Sequence, residues 1–166
     1  MVRSHLEYAE AVWSPYRKEL IDKLERVQMR ATKLIPGLRN LPYSERLKRL
    51  KLPTLKYRRL RGDLIELYKI SNYKYDNSVA MKINFVSYTS TRGNSARIFL
   101  QHCKYDIRKN FFMNRAACLW NCLPEHVIES QSVNIFKSRL DLFWADQEVC
   151  FDMHSDITGA GNRSFV

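Results

Sequence analysis

"SPYRKELIDKLERVQMRATKLIPG", residues 14–37, is the stretch on which the reading of the fold turns. Leu20, Leu24, Val27, Ala31 and Leu34 succeed one another at alternating spacings of four and three, the signature of one helix face. The repeat predicts a helix over 16–35 that buries this stripe. Ser14 and Pro15 offer an N-cap and a proline at the first helical position, and "PGLRNLP" at 36–42 stops the helix. Lys23, Arg26, Arg30 and Lys33 form a second, basic stripe. Glu19 stands four residues before Lys23 and Asp22 four before Arg26, the favourable acid-first order, whereas Arg30 and Lys33 have no acid one turn upstream. Cations in a last helical turn also complement the macrodipole, so this pattern alone does not require a ligand.

Working outward, residues 5–13 read as a short helix before this one. Residues 43–51 read as another, and Pro53 starts a third that runs to about 71, with Leu60, Leu64 and Leu67 toward the core and Tyr68 beside them. The polar stretch "SNYKYDNS" at 71–78 separates the two halves. Residues 83–89, "INFVSYT", and 96–102 flank the turn-like "STRGNS" and predict a β-hairpin, which must lie on helices because a lone hairpin is marginal in water. A helix comes next over 108–122, with Phe112, Ala116, Leu119 and Leu123 on one side, Phe111 and Trp120 near it, and Pro124 ending it. Ser132 caps a last helix carrying Val133, Phe136, Leu140 and Phe143. The expected class is mainly α: a basic helical half over 1–72, a β-hairpin with two to three amphipathic helices over 73–146, and a poorly structured tail over 147–166.

The 166 residues suffice for one ordinary domain, and 45% hydrophobic with 27% charged residues reads as globular. Net charge is +11, unevenly placed: residues 1–75 hold 18 Lys and Arg against 8 Asp and Glu, residues 76–166 hold 10 against 9. Within the first half, "ERLKRLKLPTLKYRRLRGDL" at 45–64 carries eight of the cations against Glu45 and Asp63 alone. Such asymmetry calls for an anionic partner, nucleic acid first and an acidic membrane surface second. No apolar run reaches the length of a membrane span, and "MVRSHLEYAEAVW" lacks a secretory pattern, so nucleus or cytoplasm is the expected location. Cys103, Cys118, Cys122 and Cys150 are then expected as reduced thiols.

Enzyme signatures are missing. The five glycines are scattered singly, with no phosphate loop, no nucleophile elbow and no HExxH, so no catalytic residues and no cofactor are assigned. Cys118, Cys122 and His126, with Cys150 and His154, approach zinc-ligand spacing, but Cys118 and Cys122 lie in a helix that needs its apolar face for packing. Among the aromatics Trp13, Tyr16, Tyr57, Tyr68, Trp120 and Trp144, most fall on or beside apolar stripes. Tyr57, between Lys56 and Arg58, combines a ring with the cationic run as single-strand binding surfaces do.

The same segments carry a resemblance. "VRSHLEYAEAVWSP", then "LERVQMRATKLIPGLRNLPYSERLKRLKLPTLKYRRLRGDLIELYKI", resembles the stretch after the polymerase core in jockey-like non-LTR retrotransposon (LINE) reverse transcriptases. "TRGNS", "IRKNFFMNRAACLWNCLP" and "SVNIFKSRLDLFW" are similar to that family's C-terminal end, in the same order, so the resemblance covers about residues 2–146. Ser4 stands where members often have proline and Cys122 where they often have serine. The resemblance implies a region beyond the catalytic palm, namely the end of the thumb and the C-terminal region after it. The family's catalytic aspartates and its endonuclease have no counterpart here, so RNA-directed polymerisation is not carried over.

Charge and resemblance together give one expectation: a non-catalytic remnant that binds RNA or an RNA–DNA duplex, insensitively to sequence, through a basic helical surface. The candidate phosphate contacts are Arg30, Lys33, Arg46, Lys48, Arg49, Lys51, Arg58, Arg59 and Arg61, with Tyr57 as a stacking group; they lie on differing helix faces, so about half would reach nucleic acid. The rival expectation is an orphan interaction fragment whose apolar face once packed on a missing polymerase core. It predicts an exposed patch around Leu6, Val12 and Trp13 and weak self-association through it. A basic run can also serve as a nuclear address, which suits either.

Overall fold

The computed structural model describes residues 2–76, 78, 80–86 and 96–158. The described residues are mainly helical: α1 (Val2–Glu7), α2 (Glu10–Trp13), α3 (Lys18–Lys33), α4 (Tyr43–Leu50), α5 (Leu55–Ser71), α6 (Asp106–Lys109), α7 (Phe112–Trp120), α8 (Glu125–Ile128) and α9 (Val133–Phe143), with a 3-10 turn at Glu148–Cys150. They divide into two compact units, Met1–Gly62 with Gln147–Ile157 and Asp63–Asp146, and α5 supplies residues to both. Among the described residues no helix is long and apolar enough to cross a membrane.

In the first unit the expected helix over 5–13 breaks at Ala9, whose φ of 53° is left-handed. Ser14 is not the N-cap of α3. It closes α2, its amide donating to the Glu10 carbonyl at 3.0 Å, and α3 starts after an extended Arg17 without a side-chain cap. α4 ends where Lys51 turns left-handed at φ 51°, and the Leu52 amide donates back to the Leu47 carbonyl at 3.0 Å. That is a Schellman closure made without glycine. α5 opens from Thr54, whose hydroxyl accepts from the Tyr57 amide at 3.1 Å as an N-cap does.

The tail expected to be loose over 147–166 is not so as far as it is described. The Thr54 amide donates to the Cys150 carbonyl at 2.9 Å, and its hydroxyl donates to the Val149 carbonyl at 2.6 Å. Val149 and Met153 are buried, and Lys56 reaches the Ser155 carbonyl at 2.8 Å. A segment with weak periodicity is thus held by the Thr54 amide and hydroxyl and the Lys56 ammonium at the start of a distant helix. Residues 159–166 lie outside the described residues.

The second unit is an apolar core of the expected kind. Leu64, Leu67 and Tyr68 of α5, Phe112, Ala116 and Trp120 of α7, and Phe136 and Leu140 of α9 are buried. The Tyr68 ring stacks on Phe136 with centroids 4.3 Å apart, and Trp120 lies 6.0 Å from the same ring. The Tyr68 hydroxyl donates to the Ser130 carbonyl, which satisfies its one polar atom inside the core. Ser132 caps α9 as its sequence predicts, accepting from the Ile135 amide at 3.3 Å. At the far end of α9 the stripe slips by one residue: Phe143 is exposed and Trp144 is buried in its place. The helix expected over 108–122 is split into α6 and α7 at Asn110 and Phe111.

The described residues do not support the expected hairpin. Residues 87–95 of it lie outside the described residues; among the described ones there is no strand, only one antiparallel bridge between Phe85 and Ile98. Its two bonds run from the Val86 amide to the Arg97 carbonyl and from the Phe99 amide to the Asn84 carbonyl, both 2.8 Å. On its other side Ile98 finds a side chain where a ladder would supply a strand. Its amide donates to Asn121 Oδ1 at 2.8 Å, and its carbonyl accepts from Asn121 Nδ2 at 2.9 Å. The Trp120 indole N–H adds a bond to the Ala96 carbonyl at 2.9 Å. Beyond that point Phe99 and Leu100 are exposed, so pairing further residues would bury nothing.

Candidate nucleic-acid interface

The ten sequence candidates fall into three groups. Arg30, Lys33, Lys48, Arg49 and Lys51 are exposed. Arg58 and Arg61 are half-buried, and Arg58 bonds to the Glu7 carboxylate. Tyr57, Arg46 and Arg59 are buried, the two guanidinium-bearing residues 2% and 3% exposed, and these three leave the candidate surface.

Each burial has a physical cause. Arg46 sits on the same α4 stripe as Tyr43, Leu47 and Leu50, at i, i+3, i+4 and i+7, so the face that packs carries it inward. There its Nη1 donates to the Met29 carbonyl of α3 at 3.2 Å, and its guanidinium lies 5.5 Å from the centre of the Tyr43 ring. Arg59 lies one turn after Leu55 on the buried side of α5, where its charge acts on Glu25. Tyr57 shares a face with Leu60, Leu64 and Leu67, a helical repeat visible in the sequence that outweighs its basic neighbours.

Between these helices lies a polar cluster that the sequence reading missed. Glu25 of α3 is fully buried. Its carboxylate accepts from the Tyr43 hydroxyl at 2.5 Å and, at 3.1 Å and 3.3 Å to its two oxygens, from the Leu55 amide at the start of α5. Gln28 donates to the Tyr43 hydroxyl at 3.0 Å and to the Pro53 carbonyl at 3.2 Å. An anion at a helix N-terminus meets free amides and the positive end of the dipole, so Glu25 acts as an N-cap supplied by another helix. Burial nevertheless prevails and raises its pKa, against the lowering effect of Tyr43, the Leu55 and Lys56 amides and Arg59. The sequence signal was present, since Glu25, Gln28 and Thr32 repeat at three and four, but a polar stripe is ordinarily read as solvated.

The exposed candidates share a setting. Arg30 and Lys33 close α3, Lys48 and Arg49 close α4, and Lys51 comes directly after. α3 and α4 pack on one another. Arg49 pairs with Glu45 one turn earlier at 3.2 Å, an exposed pair of small energetic weight. Arg30, Lys33, Lys48 and Lys51 form no ion pair among the described residues. Chemically this is a set of ammonium point charges and planar guanidinium forks that suit anionic oxygens.

Among the described residues no three His, Cys, Asp or Glu side chains are grouped to hold a metal ion. Cys122 Sγ donates to the Cys118 carbonyl at 3.2 Å, and burial pushes both thiols up, away from the thiolate a metal requires. Comparison with protein-family models, with curated proteins and with solved structures finds no match to this chain.

Proposed function

We propose that this chain works by binding rather than by catalysis, holding the phosphate backbone of RNA or an RNA–DNA duplex at the C-terminal ends of α3 and α4. The contacts assigned are Arg30, Lys33, Lys48, Arg49 and Lys51. The observation that carries the reading is that five cations stay exposed on two packed helices while four of them have no ion pair among the described residues. The charge asymmetry of the first 75 residues supports it, because phosphate contact depends on charge and little on sequence. The resemblance to the region beyond the palm of jockey-like reverse transcriptases supports it too, as a non-catalytic part of a mobile-element protein acting in the nucleus or cytoplasm.

The test is a salt series with a short RNA hairpin and an RNA–DNA duplex of equal length, read by fluorescence anisotropy. Four to five phosphate contacts give a slope of log affinity against log salt near about −4. Changing Arg30, Lys33, Lys48 and Lys51 together to Ser should flatten that slope to about −1 on the same counting. Native protein that binds no more tightly than this variant would remove nucleic acid from the account.

A further inference from the structure

α3 presents three faces along its length. At 3.6 residues per turn, Glu25, Gln28 and Thr32 share one side, and that side is buried. Leu20, Leu24, Val27, Ala31 and Leu34 share the next, the stripe whose spacing predicted the core, and it is only partly covered: Leu20 is 44%, Val27 40% and Leu34 84% exposed, while Leu24 and Ala31 are half-buried. Beyond the stripe, on the side away from the buried face, run Lys23, Arg26, Arg30 and Lys33, all exposed and none in an ion pair among the described residues. Trp13 and Tyr16, exposed just before α3, add aromatic surface. A scattered apolar side chain at a surface is ordinary, but a repeat with three of its five positions exposed while a carboxylate goes inside is not.

The 3-4 repeat is that of a helix–helix seam two heptads long, in which the apolar positions become knobs and the flanking charges select the partner. A second copy of this chain fits badly. In an antiparallel pair Lys23 and Arg30 of one copy would meet Arg30 and Lys23 of the other, and like charges oppose the contact. In a parallel pair those cations would face the side of Gln28, which is already buried. A membrane surface fits badly as well, because the stripe is narrow and includes Ala31, where interfacial helices present a broad apolar face. We propose that α3 docks an amphipathic helix of about two to three heptads from another protein, its apolar stripe on Leu20, Leu24, Val27 and Leu34 and its flanking Asp and Glu on Lys23, Arg26, Arg30 and Lys33. Arg30 and Lys33 are shared with the proposed phosphate contacts, but docking needs the apolar stripe and phosphate binding does not.

The experiment uses the full chain and labelled synthetic 21-residue peptides read by anisotropy. One has Leu at 3-4 spacing with Glu on the flanks, one has the same Leu pattern with Lys flanks, and one is a scramble of the first. The Glu-flanked peptide should bind at least ten times more tightly than either of the others. Leu20→Gln with Val27→Gln should weaken it at least tenfold while leaving the RNA titration and far-ultraviolet dichroism unchanged. Lys23→Glu with Arg30→Glu should reverse the preference between Glu and Lys flanks, a gain that misfolding could not mimic. Equal binding of the scramble would reduce the effect to bulk charge and overturn the proposal, as would absence of binding at millimolar peptide. So would a dimer by sedimentation that Val27→Gln dissociates, or capture by vesicles containing phosphatidylserine that depends on Val27.

Discussion

In the unit built on Asp63–Asp146 the largest fully buried side chains are Trp120, Tyr68 and Phe136, whereas in the unit built on Met1–Gly62 a carboxylate, an amide and two guanidinium-bearing residues are buried beside Leu47, Leu55 and Tyr57. The first arrangement is held mainly by area and ring packing, with one buried carboxylate, Asp63, that accepts from Arg115 at 2.8 Å and 2.9 Å. The second depends on Glu25, Gln28, Tyr43, Arg46 and the free amides of α5 meeting one another, since each unmet group would carry its desolvation cost. The contrast reaches the surface as well. Polar groups fill the inward face of α3, so its apolar stripe is left for solvent or for a partner. Phosphate binding and helix docking are both assigned to the surface of this polar-cored unit.

The largest expected effect tests the apolar side of the comparison. Phe136 contacts both Tyr68 and Trp120 and is fully buried, so Phe136→Ala should cost about 3–5 kcal/mol in urea unfolding. A loss below about 1 kcal/mol would mean that these rings do not form the centre of that unit.

Glu25 breaks the comparison from the other side. Glu25→Ala removes the carboxylate that accepts from the Tyr43 hydroxyl and the Leu55 amide and should cost about 1–3 kcal/mol. The pH dependence is more specific. Burial raises the folded pKa of Glu25 above its ordinary 4.5, so the folded protein holds this proton more tightly than the unfolded chain. The stability from that group is fully present below about pH 4.5 and is lost as pH rises through the raised folded value. Glu25→Gln cannot titrate, so the stability of native protein minus variant should fall as pH rises from about 4.5 through the raised folded value. A difference that rises over that interval would show the anion favoured by its donors and burial the lesser effect.

Legibility in the sequence divides along the same line. In the apolar unit each helix had one stripe, and Leu64, Leu67, Phe112, Ala116, Phe136 and Leu140 are buried as their periodicity predicted. α3 offered two candidate inward stripes, and the choice was made by Tyr43 and Leu55, 18 and 30 residues away from Glu25. Local pattern does not contain that information. The site suffered from counting charge without direction: Arg46 lies on the Tyr43, Leu47, Leu50 repeat, Arg59 stands one turn after Leu55, and Tyr57 leads into Leu60 and Leu64. On a helical wheel these three fall on faces that pack. Asn121 taking the place of a strand beside Ile98 had no sequence signal at all.

Lys51 sharpens the account of the basic surface. It holds a left-handed φ of 51° at the end of α4, where a side chain costs about 1 kcal/mol relative to glycine. Lys51→Gly should therefore stabilise the protein by about 0.5–1 kcal/mol while weakening RNA binding by one phosphate contact. Destabilisation would mean that the lysine side chain makes a favourable contact that outweighs its backbone strain.

The smallest expected effect is the most telling about α3. Val27 sits in the middle of the outward stripe, beside the buried Gln28, so the two neighbours occupy positions opposite to those their chemistry suggests. Replacing Val27 by Gln removes apolar area that is already partly in water and creates no cavity, and a change within about 0.5 kcal/mol is expected. Gln28→Val should cost more, about 1–2 kcal/mol, because the Pro53 carbonyl loses the Gln28 donor and the Tyr43 hydroxyl loses one of its bonds. The order of the two is what matters. If Val27→Gln proved the costlier, the apolar stripe would be packed in solution, and both the polar core and the helix-docking face would fall together.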